Sequence, residues 1–344
     1  MCVQQIRFIE CRGSPREMGR QYGEQAREEI RGNIAAFRVD ATDPRAEEFA
    51  GLAGRVLDRF APEILAELTG VAEGAGAALS SILRLNQVDT FGAGSRAHSP
   101  GCTSMALSSG PDGPVLGKNN DGAPGEPSFI VRKTLPDTGL GMLQVTYAGW
   151  LSGFDAMNNA GLANGHNSTG SVFDKSGMRI DIRLWMYRLM SVCRSTAELL
   201  DMIDAAPLTG KGFNIVVTDA TGDSCVLEAA VPLVSVRDRG KPFVYATNHY
   251  AGDALRDADI RTPENKRVSI YRLGYLSWRE AVRPPGCVGD IKDILRSHEP
   301  WAPCRHGGPH LSHTLWSMIC VPASRSALVS SGAPCRNDYA QYDI

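Results

Sequence analysis

Cys102 is the residue in this sequence whose position best suits covalent chemistry. It follows Gly101 and opens an apolar run that continues to Ser108. Because glycine has no side chain to block it, the Gly101–Cys102 peptide bond is open to attack, and the Cys102 thiol could take over the acyl group of Gly101. Hydrolysis would then make Cys102 a new N-terminus. The new α-amino group would titrate near pH ~8 and could deprotonate the adjacent thiol without a histidine partner. The spacing therefore suggests a nucleophile made by self-cleavage. The alternative is a small buried apolar cysteine at the start of a strand.

Two ionisable residues follow at a spacing that a hairpin would bring back to Cys102. Asp121 ends the segment 117–121, nineteen residues after Cys102, and could hold and orient the new α-ammonium group. Lys118 could face the thiol and lower its pKa. The alternatives are a turn residue for Asp121, since Asn-Asn-Asp-Gly is favourable turn chemistry, and a solvated strand-end lysine for Lys118.

Acyl transfer also needs a neutral hydrogen-bond donor for the tetrahedral intermediate, and asparagine amides suit this role. Asn248 ends an apolar strand predicted over 243–248, where a polar side chain can point into a cleft. The alternative is a loop asparagine bonded to its own backbone.

The elements that would position these residues change in type near Cys102. Residues 1–90 are predicted to be mainly helical: a strand over 3–11, a helix from Ser14 (the N-cap) to about Phe37, and helices over 45–60 and 62–90. A loop rich in helix breakers, 91–100, leads to Cys102. Strands are then predicted over 102–108, 115 onward, 129–135, 142–150, 213–219, 224–229 and 243–248, with helices over 178–193, 196–205 and 264–280. This order predicts an α+β protein with two antiparallel sheets faced by helices.

Composition limits the class of protein. The chain has 344 residues, 43% hydrophobic and 22% charged, with a formal net charge of −2. These values are ordinary for a globular protein and give no electrostatic footprint for nucleic acid or an anionic membrane. Nine scattered cysteines suit a reducing compartment better than a disulfide framework, and no signal peptide is recognisable, so we expect a cytoplasmic protein.

Metal and nucleotide motifs are weak. Cys304, His306, His310 and His313 form the one cluster with plausible metal spacing, but paired C-x-x-C or H-E-x-x-H arrangements are missing, and we expect no metal. The glycines of 70–76 lie in a helical stretch rather than after a strand, so we expect no nucleotide cofactor.

Short motifs then occur in a fixed order along nearly the whole chain: 12–23, 68–76, 82–86, 101–103, 117–121, 159–163, 247–249 and 331–335. Together they resemble the acyl-CoA:6-aminopenicillanate acyltransferase (isopenicillin-N acyltransferase-like) family of the N-terminal nucleophile hydrolase superfamily. The resemblance implies a four-layer αββα sandwich. It also supports Asn167 as a second candidate oxyanion donor, because related cholylglycine and penicillin V hydrolases resemble the segment around it. The alternative for Asn167 is again a loop asparagine bonded to its own backbone. Which of Arg267, Arg272 and Arg305 lines the site is left open.

The resemblance implies an enzyme cut into a mainly helical fragment, 1–101, and a catalytic fragment, 102–344, that stay together as a heterodimer. We expect Cys102 to move an acyl group from a small-molecule thioester (acyl-CoA or a carrier-protein conjugate) or an amide to an amine. The alternative is an amidohydrolase that cleaves an N-acyl amide with the same residues. A third reading is an unprocessed, non-catalytic member of the fold.

Overall fold

The computed structural model describes residues 6–39, 44–87, 101–123, 127–173, 177–307 and 312–344. The N-terminal part contains β1 (Arg7–Gly13), α1 (Pro15–Gln25), α2 (Arg27–Ala36), α3 (Pro44–Phe60), α4 (Pro62–Ala75) and α5 (Leu79–Leu85). The central part contains β2 (Thr103–Leu107), β3 (Val115–Gly122), β4 (Phe129–Pro136), β5 (Met142–Tyr147), β6 (Ala156–Asn158), β7 (Ala163–Ser168), β8 (Ile180–Asp181), α6 (Ile182–Val192) and α7 (Thr196–Met202). The remainder contains β9 (Leu208–Thr209), β10 (Phe213–Thr218), β11 (Ser224–Ala229), β12 (Val234–Arg237), β13 (Phe243–Ala246), a 3-10 turn (Arg256–Ala258), α8 (Pro263–Val282), α9 (Val288–Arg296), β14 (His313–Val321), β15 (Ser326–Ser331) and β16 (Tyr339–Asp343).

Two large sheets form the centre of the described structure. One has the strand order β1-β4-β5-β6-β7-β10-β11-β12, and the other has the order β13-β2-β3-β14-β15-β16. The strands β2, which begins just after Cys102, and β3, which carries Asp121 near its end, are neighbours inside the second sheet. The predicted hairpin after Cys102 is therefore confirmed.

Side-chain alternation along the strands builds the three largest apolar cores of the described residues. Met105 of β2 packs toward α8 and α9, whereas Ala106 packs into the space between the two sheets. In β10, Ile215 packs toward the helices of the N-terminal half, and Val216 again faces the other sheet. Since successive residues of a strand point to opposite faces, both sheets are covered on both sides. The layers are helix, sheet, sheet and helix, so the predicted αββα sandwich is confirmed.

The N-terminal segment is attached to the rest through a sheet and a buried ion pair. β1 pairs in parallel with β4 over seven residues, from Arg7 opposite Ile130 to Gly13 opposite Pro136. Buried Glu67 of α4 forms an ion pair with Arg132 of β4 and accepts a hydrogen bond of 2.9 Å from Tyr187 Oη. The predicted division at 101/102 therefore falls between segments that share one sheet, and it stays a prediction.

Helices α1 and α4 touch through glycines. A Cβ on Gly70 would overlap the carbonyl oxygen of Arg16, and one on Gly74 would overlap that of Arg20. From α1, a Cβ on Gly19 would overlap the carbonyl oxygen of Glu67. The glycines of 70–76 thus let two helix backbones approach closely, which gives this glycine-rich stretch a packing role.

The structure differs from the sequence-based elements in several places. The helix predicted to reach Phe37 bends at Ala26 (φ −112°, ψ 25°), although the N–H of Ala26 still bonds the carbonyl of Tyr22 and the apolar stripe continues across the bend. The helix predicted over 62–90 is two helices, because Gly76 adopts a left-handed conformation (φ 60°) that ends α4. Strand β5 is shorter than predicted, since the chain turns at Gly149 (φ 92°).

Parts of the chain carried no prediction or cannot be compared. Elements after residue 282, including α9 and the strand β14 beside β3, were not predicted. Residues 3–5, 88–90 and His310, together with the predicted loop 91–100, lie outside the described residues. None of the helices in the described part is long and apolar enough to cross a membrane.

Candidate active site

Cys102 lies immediately before β2, against the end of β3. The antiparallel register ends with Thr103 opposite Asn119, and just beyond it Cys102 contacts Asn120 and Gly101 contacts Asp121. The Cys102 side chain is buried, and its thiol donates a hydrogen bond of 3.3 Å to Oδ1 of Asn120. A Cβ on Gly101 would overlap the Cβ of Asp121, so only glycine fits at this position without displacing the carboxylate. The Gly101–Cys102 peptide is therefore packed directly against the Asp121 side chain.

Arg272 of α8 connects three parts of the site. Its Nη1 donates to the backbone carbonyl of Cys102 and, over 2.9 Å, to Oγ1 of Thr103, while its Nη2 donates to Oδ1 of Asn248 over 2.7 Å. The side chain is fully buried. Burial, together with neighbouring Arg305, lowers the pKa of Arg272 from its usual range. A guanidinium still keeps its proton at neutral pH, so a fixed positive charge faces the backbone of Cys102.

Asp121 is a buried carboxylate among cations. Burial raises the pKa of Asp121 to about 6, although Arg272, Arg305 and Lys118 and a hydrogen bond from Thr314 all favour the ionised form. The Oγ1 of Thr314 donates to Oδ1 of Asp121 over 2.8 Å. The other carboxylate oxygen of Asp121, Oδ2, is buried and has no hydrogen-bond partner among the described residues. Asp121 is therefore ionised at neutral pH, and its Oδ2 is available to accept a hydrogen bond.

Asn248 lies just beyond β13 and is fully buried. Its Nδ2 donates to the carbonyl of Ser168 over 2.8 Å, its Oδ1 accepts from Arg272, and its backbone N–H donates to Oγ of Ser269 over 2.7 Å. One of the two Nδ2 hydrogens is engaged by these contacts. The side chain is thus held firmly on the same guanidinium that holds Cys102.

Asn167 lies on β7 in the facing sheet, opposite the start of β2. Its Nδ2 donates to Oγ of Ser104, and over 3.4 Å to the carbonyl of Asn214, while its Oδ1 is buried without a partner in the described part of the chain. Both amide hydrogens are directed at protein oxygens. Asn167 therefore lies near the site but is less free to donate to a reacting group than Asn248 is.

Lys118 shares the inner face of β3 with Asn120, yet its ammonium points at the other sheet. Its Nζ donates to the backbone carbonyl of His166, whose ring nitrogen Nδ1 lies 2.9 Å from Oδ1 of Asp155. Burial opposes ionisation of Asp155, but His166 and Lys118 outweigh it and hold its pKa below the ordinary value. The ammonium of Lys118 thus belongs to a buried group with His166 and Asp155, and an effect on the Cys102 thiol would act across space rather than by contact.

The structure distinguishes the three arginines that the sequence left open. Arg272 contacts the Cys102 backbone, and Arg267 is exposed on α8. The positive charge of Arg305 attracts the Asp121 carboxylate. Arg272 had a recognisable signal, because it recurs four residues after buried Val268 and four before buried Leu276. A charged side chain on the apolar face of a helix has to be paired inside the protein.

The structure brings together only some of the residues that the sequence grouped as a cluster with plausible metal spacing. Cys304 and His306 lie together, with Sγ and Nε2 3.5 Å apart. His313 pairs with His306 through the backbone in an isolated β-bridge, and His310 lies outside the described residues.

Comparison with known families assigns the chain. The model of the family "Acyl-coenzyme A:6-aminopenicillanic acid acyl-transferase" matches residues 108–336, which is more than half of the sequence. The chain belongs to this family. The segment matched by the acyltransferase family contains Asp121, Asn167, Asn248 and Arg272 but begins after Cys102, so membership by itself does not address cleavage at Gly101–Cys102.

A fungal acyltransferase is similar to part of the chain. The 40 kDa form of acyl-coenzyme A:6-aminopenicillanic-acid acyltransferase from Emericella nidulans is 25% identical over 166 residues, which is 46% of this chain and 46% of that protein. The matched part thus spans about half the length of this curated relative.

Several solved structures have a similar arrangement at low identity. Penicillin V acylase from Agrobacterium tumefaciens is 14% identical with a TM-score of 0.45, covering 71% of this chain and 86% of that chain. A C2A mutant of the conjugated bile acid hydrolase from Clostridium perfringens is 13% identical with a TM-score of 0.45, covering 71% and 97%. An orthologue of N-acylethanolamine-hydrolyzing acid amidase from Caenorhabditis elegans is 13% identical with a TM-score of 0.44, covering 64% and 93%. At these scores the fold assignment depends on the layers described above.

Proposed function

We propose that this protein is an acyltransferase that uses Cys102 as an N-terminal nucleophile after cutting its own chain at Gly101–Cys102. The observation that carries the proposal is the packing of the Gly101–Cys102 peptide between a buried carboxylate and a buried guanidinium. Asp121 lies against Gly101, and Arg272 bonds the Cys102 carbonyl. A peptide bond fixed between two such groups, with a thiol on its C-terminal residue, is arranged for an N→S acyl shift.

The cut would proceed in two steps. The Cys102 sulfur attacks the carbonyl carbon of Gly101, the C–N bond breaks, and the amide nitrogen leaves as an amine after taking up the thiol proton. Water then cleaves the thioester, releasing the Gly101 carboxylate and restoring the thiol. The new α-ammonium group would be next to Asp121, whose Oδ2 has no partner in the described structure. Cleavage would therefore supply a hydrogen-bond donor for the second oxygen of the buried carboxylate.

Turnover would reuse the same atoms. In its neutral form the α-amino group takes the thiol proton, and the thiolate attacks the carbonyl of an acyl donor to give a thioester on Cys102. The proton then passes from the α-ammonium group to the leaving thiol or amine. An acceptor amine then attacks the thioester and regenerates Cys102. Asn248 is the better placed of the two asparagines to donate to the oxyanion. Protein contacts engage only one of its two amide hydrogens, whereas they engage both amide hydrogens of Asn167.

Membership of the acyltransferase family supports a thioester donor, such as acyl-CoA or a carrier-protein conjugate, and an amine acceptor. These donors and the free, scattered cysteines of the described chain fit a cytoplasmic location. Hydrolysis of an N-acyl amide is the alternative, since it needs only that water replace the amine. The two cleavage products, 1–101 and 102–344, would remain together as a heterodimer.

Cleavage and catalysis are tested together by Cys102→Ala. We expect wild-type protein to give two bands on a denaturing gel and Cys102→Ala to give one full-length band without acyl-transfer activity, because one thiol performs both reactions. Cys225→Ala, at another buried cysteine, is the control and should behave as wild type. An active Cys102→Ala would refute the nucleophile. A wild-type chain that stays whole and inactive would support the non-catalytic alternative, whereas a whole and active one would remove only the cleavage step.

Transfer and hydrolysis are separated by a panel of amines. Wild-type enzyme is given an acyl thioester with and without each amine, and free acid and amide are measured by mass spectrometry. Transfer predicts amide at the expense of free acid. Free acid formed at the same rate with every amine, and no amide, would establish the hydrolase instead.

A further inference from the structure

A second cluster of reactive side chains lies outside the proposed catalytic machinery. His298 follows α9, Cys304 and His306 belong to the segment before β14, and Cys335 lies between β15 and β16. One ligand atom from each residue, an imidazole nitrogen or a thiol sulfur, lies within 4.8 Å of the other three. Nε2 of His306 is 3.0 Å from Nε2 of His298, 3.0 Å from Sγ of Cys335 and 3.5 Å from Sγ of Cys304.

Hydrogen bonding does not account for this convergence. A neutral imidazole nitrogen offers either one N–H or one lone pair in the ring plane. Nε2 of His306 therefore makes at most one good hydrogen bond, yet three partner atoms surround it. Two thiols and two imidazoles directed at one point are instead the donor set of a metal ion.

We propose that His298, Cys304, His306 and Cys335 bind one zinc ion in a tetrahedral, structural site. Zinc ligands at their usual bond lengths are about 3.3 to 3.8 Å from one another. The three separations at His306 therefore need shifts of a few tenths of an ångström, and the other pairs, which lie within 4.8 Å, need shifts of up to about 1 Å. Binding converts both thiols to thiolates and releases their two protons, and both imidazoles bind as neutral rings. Four protein ligands leave no open position for substrate or water, which is typical of structural rather than catalytic zinc.

The ligand arrangement also separates zinc from an iron–sulfur cluster. A two-iron cluster with two cysteines and two histidines binds the cysteine pair on one iron and the histidine pair on the other. Here His306 is as close to Cys335 as it is to His298, at 3.0 Å each. Mixed sulfur and nitrogen donors around a single point fit one ion.

The proposed ion would stabilise the edge of the active site. Arg305 lies between two ligands, and its backbone N–H and carbonyl bond the side chain and the N–H of Thr314 over 3.0 and 3.1 Å. The same Thr314 hydroxyl donates to Asp121 over 2.8 Å. Zinc would thus fix the segment that bonds Thr314, a partner of the buried carboxylate. It would also link that segment to the residues that follow α9 and β15.

The test measures bound metal in untagged, reduced, full-length protein. We expect about one zinc per chain by elemental mass spectrometry after exhaustive dialysis, and a thiolate-to-cobalt charge-transfer band when cobalt replaces zinc. The Cys102→Ala background is measured in parallel, so that metal bound by the nucleophile is counted separately. Cys335→Ser and His298→Gln should each lose most of the bound metal and lower the melting temperature. Cys287→Ser, at another partly exposed cysteine, should lose none.

His298 is exposed, so His298→Gln should fold, and circular dichroism checks this directly. Reduced wild-type protein that retains neither zinc nor cobalt would overturn the proposal. So would a Cys335→Ser variant that keeps the full metal content, or a Cys304–Cys335 disulfide that, once reduced, yields protein unable to take up metal.

Discussion

The buried carboxylate of Asp121 gives a quantitative prediction for the uncut chain. In the Cys102→Ala background no α-ammonium group forms, so Asp121 keeps the surroundings described above. Its pKa rises from 3.8 to about 6 on folding, chiefly because burial disfavours the charge. A difference of about two pKa units corresponds to about 3 kcal/mol between the two protonation states. We therefore compare the free energy of unfolding of Asp121→Asn with that of its uncut parent. Between acid and neutral pH, this difference should shift in favour of the variant by up to about 3 kcal/mol.

The direction follows from proton linkage. Since the pKa is higher in the folded protein than in the unfolded chain, the folded state binds the proton more tightly. The stability of the Cys102→Ala parent therefore falls as the pH rises from about 4 to about 6, and this contribution is constant above that. The Asp121→Asn variant has no proton to lose there, and an amide oxygen can still accept the hydrogen bond from Thr314.

Urea unfolding followed by circular dichroism, at several values between about pH 4 and about pH 8, measures the difference. Asp137→Asn, at an exposed carboxylate, controls for the loss of one charge. The reasoning is refuted if the stability difference between Asp121→Asn and its parent is the same at every pH. It is also refuted if the variant is relatively less stable at high pH, because Arg272, Arg305 and Lys118 would then outweigh burial.

Three further substitutions test other parts of the structure. Asn248→Ala should lower kcat by about two to three orders of magnitude with little change in KM, as expected for an oxyanion donor; a raised KM at unchanged kcat would show that Asn248 positions substrate instead. Gly70→Ala should destabilise the protein by about 1–3 kcal/mol in urea unfolding, because the new methyl group overlaps the carbonyl of Arg16. Gly54→Ala, with open space around its Cβ, should instead stabilise by about 0.5–1 kcal/mol; equal effects at the two glycines would contradict the close helix contact.

The elements around Cys102 could be predicted because their signals are local. The apolar run from Cys102 to Ser108 and the segment from Val115 onward, with a Pro-Asp-Gly turn between them, are sufficient to predict a hairpin. A hairpin of that length necessarily brings Asp121 back toward Gly101. The cap at Ser14 and the amphipathic stripe after it are equally local: Ser14 caps α1, and the stripe runs through α1 into α2.

The remainder of the site depends on contacts between distant segments. Arg272 reaches Cys102 across 170 positions of sequence, and Thr314 reaches Asp121 across 193. The metal-binding proposal has the same origin. Cys335 is 29 residues from His306, and no spacing rule joins a loop between two strands to the end of a helix. Sequence spacing grouped His310 and His313 with Cys304 and His306 and led us to expect no metal, whereas the structure brings His298 and Cys335 to Cys304 and His306.

The parallel pairing of β1 with β4 has a kinetic consequence for the cut enzyme proposed here. Before cleavage, the seven paired residues of β1 and the buried contact between Glu67 and Arg132 form within one chain, so folding is unimolecular. After cleavage the same contacts join two chains, and recovery from complete denaturation becomes bimolecular and dependent on concentration. The fragments would separate only if both contacts broke together. Refolding yield from denatured, cut enzyme should therefore fall on dilution, whereas uncut Cys102→Ala should refold with a yield that dilution does not lower.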